Sequence, residues 1–150
     1  MKTAHYLFLS IFMSGIFTCL YSQEKTNVVF HKTHEEKKLS APYSDAVQVG
    51  NVFYLSGQIG MDHSTRTLVE GGIEAETKKS IKNIEEVLAQ HGMTLDNVVK
   101  CTVILNSISD YNVFNGVYSK FFPKKPARTT MAASGLPRNA KVEIEVIAVQ

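Results

Sequence analysis

The segment from Pro126 to Val149 constrains this chain more than any other. In its last eight residues Val142, Ile144, Val146 and Ala148 alternate with Glu143, Glu145, Ile147 and Val149, the period of two that a pleated strand demands. Upstream, Arg128 opens a second short strand just after Pro126. The linker Gly135-Leu136-Pro137-Arg138-Asn139 between the two is rich in turn formers. The pair reads as a hairpin-like return that brings one guanidinium and one carboxylate together. That combination suits the recognition of a small acid and the handling of a water. An Arg and a Glu on strands are otherwise plain solvated side chains, so the remainder of the chain has to supply the context.

Residues 23–40 are polar and charged, and form a flexible N-terminal segment with one apolar island, Val28-Val29-Phe30, able to pair as an edge strand. The domain proper is expected over 41–150, beginning at Ala41-Pro42-Tyr43. Val47 and Val49, then Val52, Tyr54 and Ser56, bracket Gly50-Asn51, a hairpin signal because both residues accept positive φ. Gly57 lacks a side chain where the second strand ends, which implies a bulge or a close approach by a ligand or another chain. Met61 to Gly72 reads as a loop. From Ile73 to His91, apolar residues at Ile73, Ile81, Ile84 and Leu88, with Thr77, form a helical stripe that Gly92 terminates. Val98 to Leu105 is a strand. Asp110 is placed to cap a second helix with the stripe Val113, Phe114, Val117, Tyr118 and Phe121, stopped by Pro123 and Pro126.

Two helices against one face of a mixed sheet make an α+β two-layer domain. Its other face carries Tyr54, Ile147 and Val149, an aggregation hazard unless symmetric assembly covers it.

The chain has 150 residues, 44% of them hydrophobic, enough for one compact domain. A net charge of +2 with no basic–aromatic surface argues against a nucleic-acid partner. A basic start at Lys2 and His5, an apolar run from Tyr6 to Phe17 and polar residues from Tyr21 have the layout of a signal peptide over 1–22, cleaved after Ser22. The run is short for a membrane span, so no membrane association is expected after its removal, with an uncleaved anchor as the alternative. The mature chain is then exported, periplasmic or secreted. Cys19 lies where a bacterial lipoprotein is modified, but Thr18 fits that signal poorly. Without the leader Cys101 stands alone, so no intramolecular disulfide forms. His31 and His34 read as solvated residues of a mobile charged stretch, no His/Cys cluster has metal-ligand spacing, and no cofactor is called for.

Several short motifs then fall in one order: Ala41-Pro42-Tyr43-Ser44, Val49-Gly50-Asn51, Ser56-Gly57-Gln58-Ile59, Asn83-Ile84, Val98-Val99-Lys100, Phe114-Asn115, Phe121-Phe122, Pro126-Ala127-Arg128, Leu136-Pro137 and Val142-Glu143-Ile144-Glu145. This ordered set, from Ala41 to Val149, resembles the RidA (YjgF) family. The resemblance implies a chorismate-mutase-like fold and a homotrimer with ligand clefts between subunits. The reaction it implies is hydrolysis of reactive 2-imino acids, such as 2-iminobutanoate and 2-iminopropanoate, to 2-keto acids and ammonia. It also implies that Arg128 anchors the substrate carboxylate, that Glu143 positions or activates water, and that Tyr43, Ser56, Gly57, Gln58 and Asn115 line the cleft.

The chemistry of these residue types suits those roles. Arg presents a planar fork for bidentate carboxylate binding, and a carboxylate raised by burial can take a proton from water. A nearby Arg128 would oppose that rise and leave Glu143 to orient water. Alternation puts Glu143 and Glu145 on the same side, and only the resemblance singles out Glu143. The chain departs from the family pattern at Thr130, where a cysteine is common, at Gly60, where proline is common, and at Ala41, where glycine is common. Three functions stay open: an exported imine deaminase, a non-catalytic trimeric binder of small carboxylates, and a ribonuclease, which the near-neutral charge disfavours.

Overall fold

The computed structural model describes residues 27–33 and 35–150. The leader over 1–22, Cys19 and His34 lie outside the described residues. The strands are β1 (Val28–His31), β2 (Ala46–Val49), β3 (Val52–Ile59), β4 (Met61–Asp62), β5 (Thr67–Leu68), β6 (Val98–Leu105), β7 (Ala127–Ala132) and β8 (Val142–Val149). The helices are α1 (Gly72–Ala89) and α2 (Tyr111–Phe121). Six strands form one mixed sheet in the order β1-β2-β3-β8-β6-β7, and β4 pairs with β5 in a separate small hairpin.

Both helices lie on one face of that sheet. Ile81, Ile84 and Leu88 of α1 and Phe114 and Tyr118 of α2 pack in one core with Val142, Ile144, Val146 and Ala148, the apolar half of β8. The α1 stripe fits the sequence reading. Gly92 has φ 68 just beyond the helix and Met93 N–H donates to Leu88 O at 3.0 Å, closing it as a left-handed glycine should. Val113, assigned to the α2 stripe, is instead 48% exposed. Asp110 makes no side-chain cap. Ser107 accepts from Ser109 N–H at the preceding turn, and the chain enters α2 from there.

Three further readings change. The stretch Met61 to Gly72 holds the β4–β5 hairpin, whose turn is fixed by Asp62 Oδ1 accepting from Ser64 N–H at 2.8 Å and Ser64 Oγ at 2.6 Å. His31 is not solvated: it stacks on Phe53 and bonds Gln48 Oε1 through Nε2 at 3.0 Å. Lys38, from the same polar segment, is buried against Asp45 at 2.9 Å.

The largest correction concerns β7 and β8, which do not form a hairpin. β6 lies between them, antiparallel to β8 and parallel to β7. The segment β6–α2–β7 is a crossover unit, the connection that parallel neighbours require. The turn around Leu136–Ala140 therefore carries the chain across β6 rather than straight back, with Arg138 and Asn139 at φ 58 and 61.

Candidate active site

Register fixes which way each candidate points. Arg128 pairs with Cys101 and Thr130 with Val103. Both partners are fully buried on the helix side, so Arg128 and Thr130 face the helices. Glu143 pairs with Ile104 and Ile59, one residue out of phase with the buried Val142 and Ile144, so it projects from the opposite face. Within one chain the guanidinium and the carboxylate lie on opposite sides of the sheet.

The Glu143 side is built around the end of β3. The register shifts between Leu55 and Gln58, a bulge at Ser56-Gly57 of the kind the glycine implied. A Cβ on Gly57 would overlap Glu143 Oε1 and stand 2.9 Å from both Cδ and Cγ. Glycine is thus required here so that the carboxylate can lie against the strand. Gln58 is buried, donating to Ser56 O at 3.3 Å, and its own carbonyl accepts from Ser80 Oγ at 2.5 Å. Ser56 Oγ donates to Ser44 O at 2.7 Å, tying β3 to the segment that presents Tyr43. Tyr43, Gly57, Gln58 and Glu143 line a cavity of about 130 Å³, and Tyr43 with Ser56 also borders a wider groove of about 470 Å³. Burial, then the neighbouring Glu145, pushes the Glu143 carboxyl above the usual carboxylate range. The lowering expected from a nearby Arg128 is not found, because Arg128 is on the other face.

The Arg128 side rests on α2. The guanidinium carbon lies 4.6 Å from the Tyr118 ring centroid, 5.5 Å from Phe114 and 5.7 Å from Tyr111, an aromatic seat that attracts the cation. Nη2 donates to Tyr111 Oη at 3.2 Å. A hydrogen bond with Asn115, then Arg128, pulls the Tyr111 phenol below its ordinary value. Behind them Tyr118 Oη donates to Cys101 Sγ at 3.1 Å, and burial pushes that thiol up, away from reactivity. Asn115 and Arg128 line a cavity of about 390 Å³. Thr130 Oγ1 is buried and has no hydrogen-bond partner among the described residues. The structure therefore gathers the candidates into two sets: Tyr43, Ser56, Gly57, Gln58 and Glu143, and Asn115, Arg128 and Thr130.

Sequence reasoning missed the seat of Arg128. Tyr111, Phe114 and Tyr118 recur at helical spacing, which is the signal that was available. It also missed Arg66 and Arg138 beside Glu143, which arrive from separate loops.

No group of three His, Cys, Asp or Glu able to hold a metal occurs among the described residues, and no described helix is long and apolar enough to cross a membrane.

Known proteins share this fold and much of the sequence. The family model described as endoribonuclease L-PSP matches residues 33–150. The human 2-iminobutanoate/2-iminopropanoate deaminase is 44% identical over 110 residues, covering 73% of this chain and 80% of that protein. The structure of RidA from an Antarctic Psychrobacter species is 32% identical with a TM-score of 0.71, covering 85% of this chain and 100% of that one. The structure of Escherichia coli TdcF with bound serine is 28% identical with a TM-score of 0.69, covering 73% of this chain and 88% of that one. By the match over most of its length and by the shared fold, this chain belongs to the RidA family.

Proposed function

We propose that this protein hydrolyses small 2-imino acids, of the 2-iminobutanoate and 2-iminopropanoate type, to 2-keto acids and ammonia. The clefts that do so form between subunits of a homotrimer. The observation that carries this reading is the opposite facing of Arg128 and Glu143, which keeps a carboxylate anchor and a water-positioning carboxylate apart within one chain and so calls for a second copy. Tyr54, at 48% exposure on the uncovered face, with Val47 and Ile147 beside it in register, gives a second copy an apolar surface to cover.

In the assembled cleft Arg128 of the partner subunit takes the substrate carboxylate in its fork. Glu143 faces the imine carbon and holds a water. The water oxygen bonds to that carbon as the C=N π pair moves to nitrogen. Glu143 accepts a water proton and passes it to the nitrogen, giving the carbinolamine, and then carries the hydroxyl proton to that nitrogen as the C–N bond breaks and the C=O bond forms, releasing ammonia and leaving the keto acid. A carboxyl raised by burial is suited to both halves of that proton transfer. Deaminases among the relatives and the serine held by TdcF support the substrate class, a small molecule with a carboxylate beside a nitrogen-bearing carbon.

The test follows decay of 2-iminobutanoate generated in place. Arg128→Ala and Glu143→Gln each lower the acceleration by about 100-fold or more. When the two variants are mixed and allowed to exchange subunits, about one cleft in four regains both groups, so about a quarter of native activity returns. Absence of any recovery after proven exchange would place the two groups in separate functions. An intact protein that binds small carboxylates without accelerating decay is a binding protein. The reading extends to export, with 1–22 as a leader removed after Ser22, checked by N-terminal sequencing of protein from separated cell fractions.

A further inference from the structure

The cavity of about 130 Å³ beside Glu143 is also lined by two arginines, Arg66 from the β4–β5 turn and Arg138 from the loop before β8. Both have left-handed backbones, with φ 63 and 58. A side chain bearing a Cβ occupies that region at a cost, and such strain persists where the surroundings hold it in place. The two loops are tied together here: Arg138 Nη1 donates to the Arg66 carbonyl at 3.2 Å.

The charges on this wall are incompletely matched. Lys38 takes Asp45 at 2.9 Å and Glu35 at 3.4 Å. Arg66 reaches only Glu35, with Nη1 at 4.0 Å from Oε2, beyond hydrogen-bonding distance, and that Nη1 is buried without a partner among the described residues. Arg138 has no ion pair among the described residues, its one hydrogen bond being to a neutral carbonyl. The cavity is thus lined by one carboxyl and two guanidiniums, and one of these, Arg66, keeps a buried nitrogen without a partner among the described residues.

Resting on the deaminase reading, we infer that Arg66 and Arg138 form a side-chain subsite that selects 2-imino acids carrying a second carboxylate. With a water's share of liquid volume at about 30 Å³, the cavity holds about four water-sized groups, the size of a carboxymethyl side chain. Arg128 of the partner subunit takes the α-carboxylate, Glu143 stands at the imine carbon, and the distal carboxylate meets the two guanidiniums. A guanidinium pair suits this because its fork binds a carboxylate bidentately.

The test uses the full chain and compares kcat/KM for 2-iminosuccinate, made in place by oxidising L-aspartate, with that for 2-iminobutanoate. The native protein favours the dicarboxylate. Arg66→Gly with Arg138→Gly lowers the dicarboxylate-to-monocarboxylate ratio at least tenfold, and glycine is the replacement suited to both backbones, so the fold is kept. A ratio within twofold of native in the double variant overturns the inference. If neither imine is hydrolysed, the deaminase reading fails by itself, and calorimetric titration still decides the subsite. Succinate binding at least tenfold tighter than butanoate, with the preference lost in the double variant, upholds it, and equal binding of the two acids removes it.

Discussion

Gly57→Ala isolates the placement of one carboxylate. An added Cβ would overlap Glu143 Oε1 and stand 2.9 Å from Cδ and Cγ, where ordinary contacts are 3.4–4 Å. The obstacle is the Glu143 side chain and not backbone, so the strand stays and the carboxylate retreats. Gly57 does not have a left-handed backbone, and alanine at such a position commonly stabilises by about 0.4–1 kcal/mol through the unfolded chain. The expected melting temperature is therefore unchanged or slightly higher. A displacement of about 1 Å in a catalytic group costs on the order of 100-fold, or about 2.7 kcal/mol in the barrier. The assay is kcat/KM for 2-iminobutanoate alongside a thermal melt, with Glu143→Gln and the double variant completing a cycle. If the added methyl acts only through Glu143, the double variant is no slower than Glu143→Gln. Gly57→Ala within threefold of native activity, or losses that multiply in the double variant, would refute the reasoning.

The neighbouring glycine behaves oppositely. A Cβ at Gly60 would stand 2.5 Å from Glu76 Cα on α1, so Gly60→Ala should destabilise by about 1–3 kcal/mol in urea unfolding. Thr130→Val removes a buried hydroxyl that has no partner among the described residues. Stability should hold or rise by about 1 kcal/mol, while KM rises about two- to tenfold if that hydroxyl meets substrate. Burial pulls His63 and His91 below their ordinary value. The unfolded chain then binds more protons, and stability is lost as pH falls below about 6.5. His63→Gln with His91→Gln should flatten that slope in unfolding measured from pH 5 to 8. The raised carboxyl of Glu143 works in the other sense. Its contribution is full below about pH 4.3 and lost as pH rises through its folded value, so Glu143→Gln should be the more stable protein at pH 7.

Elements set by local chemistry were legible. Alternation located β8, the stripe from Ile73 to Leu88 located α1, and Gly92 marked its end. Ordered motifs singled out Tyr43, Gly57, Gln58, Asn115, Arg128 and Glu143 as candidates, because each motif is short and contiguous. The partners of each strand were less legible. Reading Arg128 and Glu143 as a hairpin used only their nearness in sequence, although strand, helix, strand from Val98 to Ala132 already carried the signature of a parallel crossover. Given that crossover, β7 pairs with β6 and Arg128 shares a face with Cys101, out of phase with Glu143. The site then has to be shared between copies if one ligand is to meet both groups. Arg66 and Arg138 gave no comparable signal. Left-handed turns are ordinarily marked by Gly or Asn, and an arginine in that conformation reads from sequence as one more solvated cation. Only the fold, by bringing together two loops separated by β5, α1, β6, α2 and β7, shows that these cations line the same cavity as Glu143.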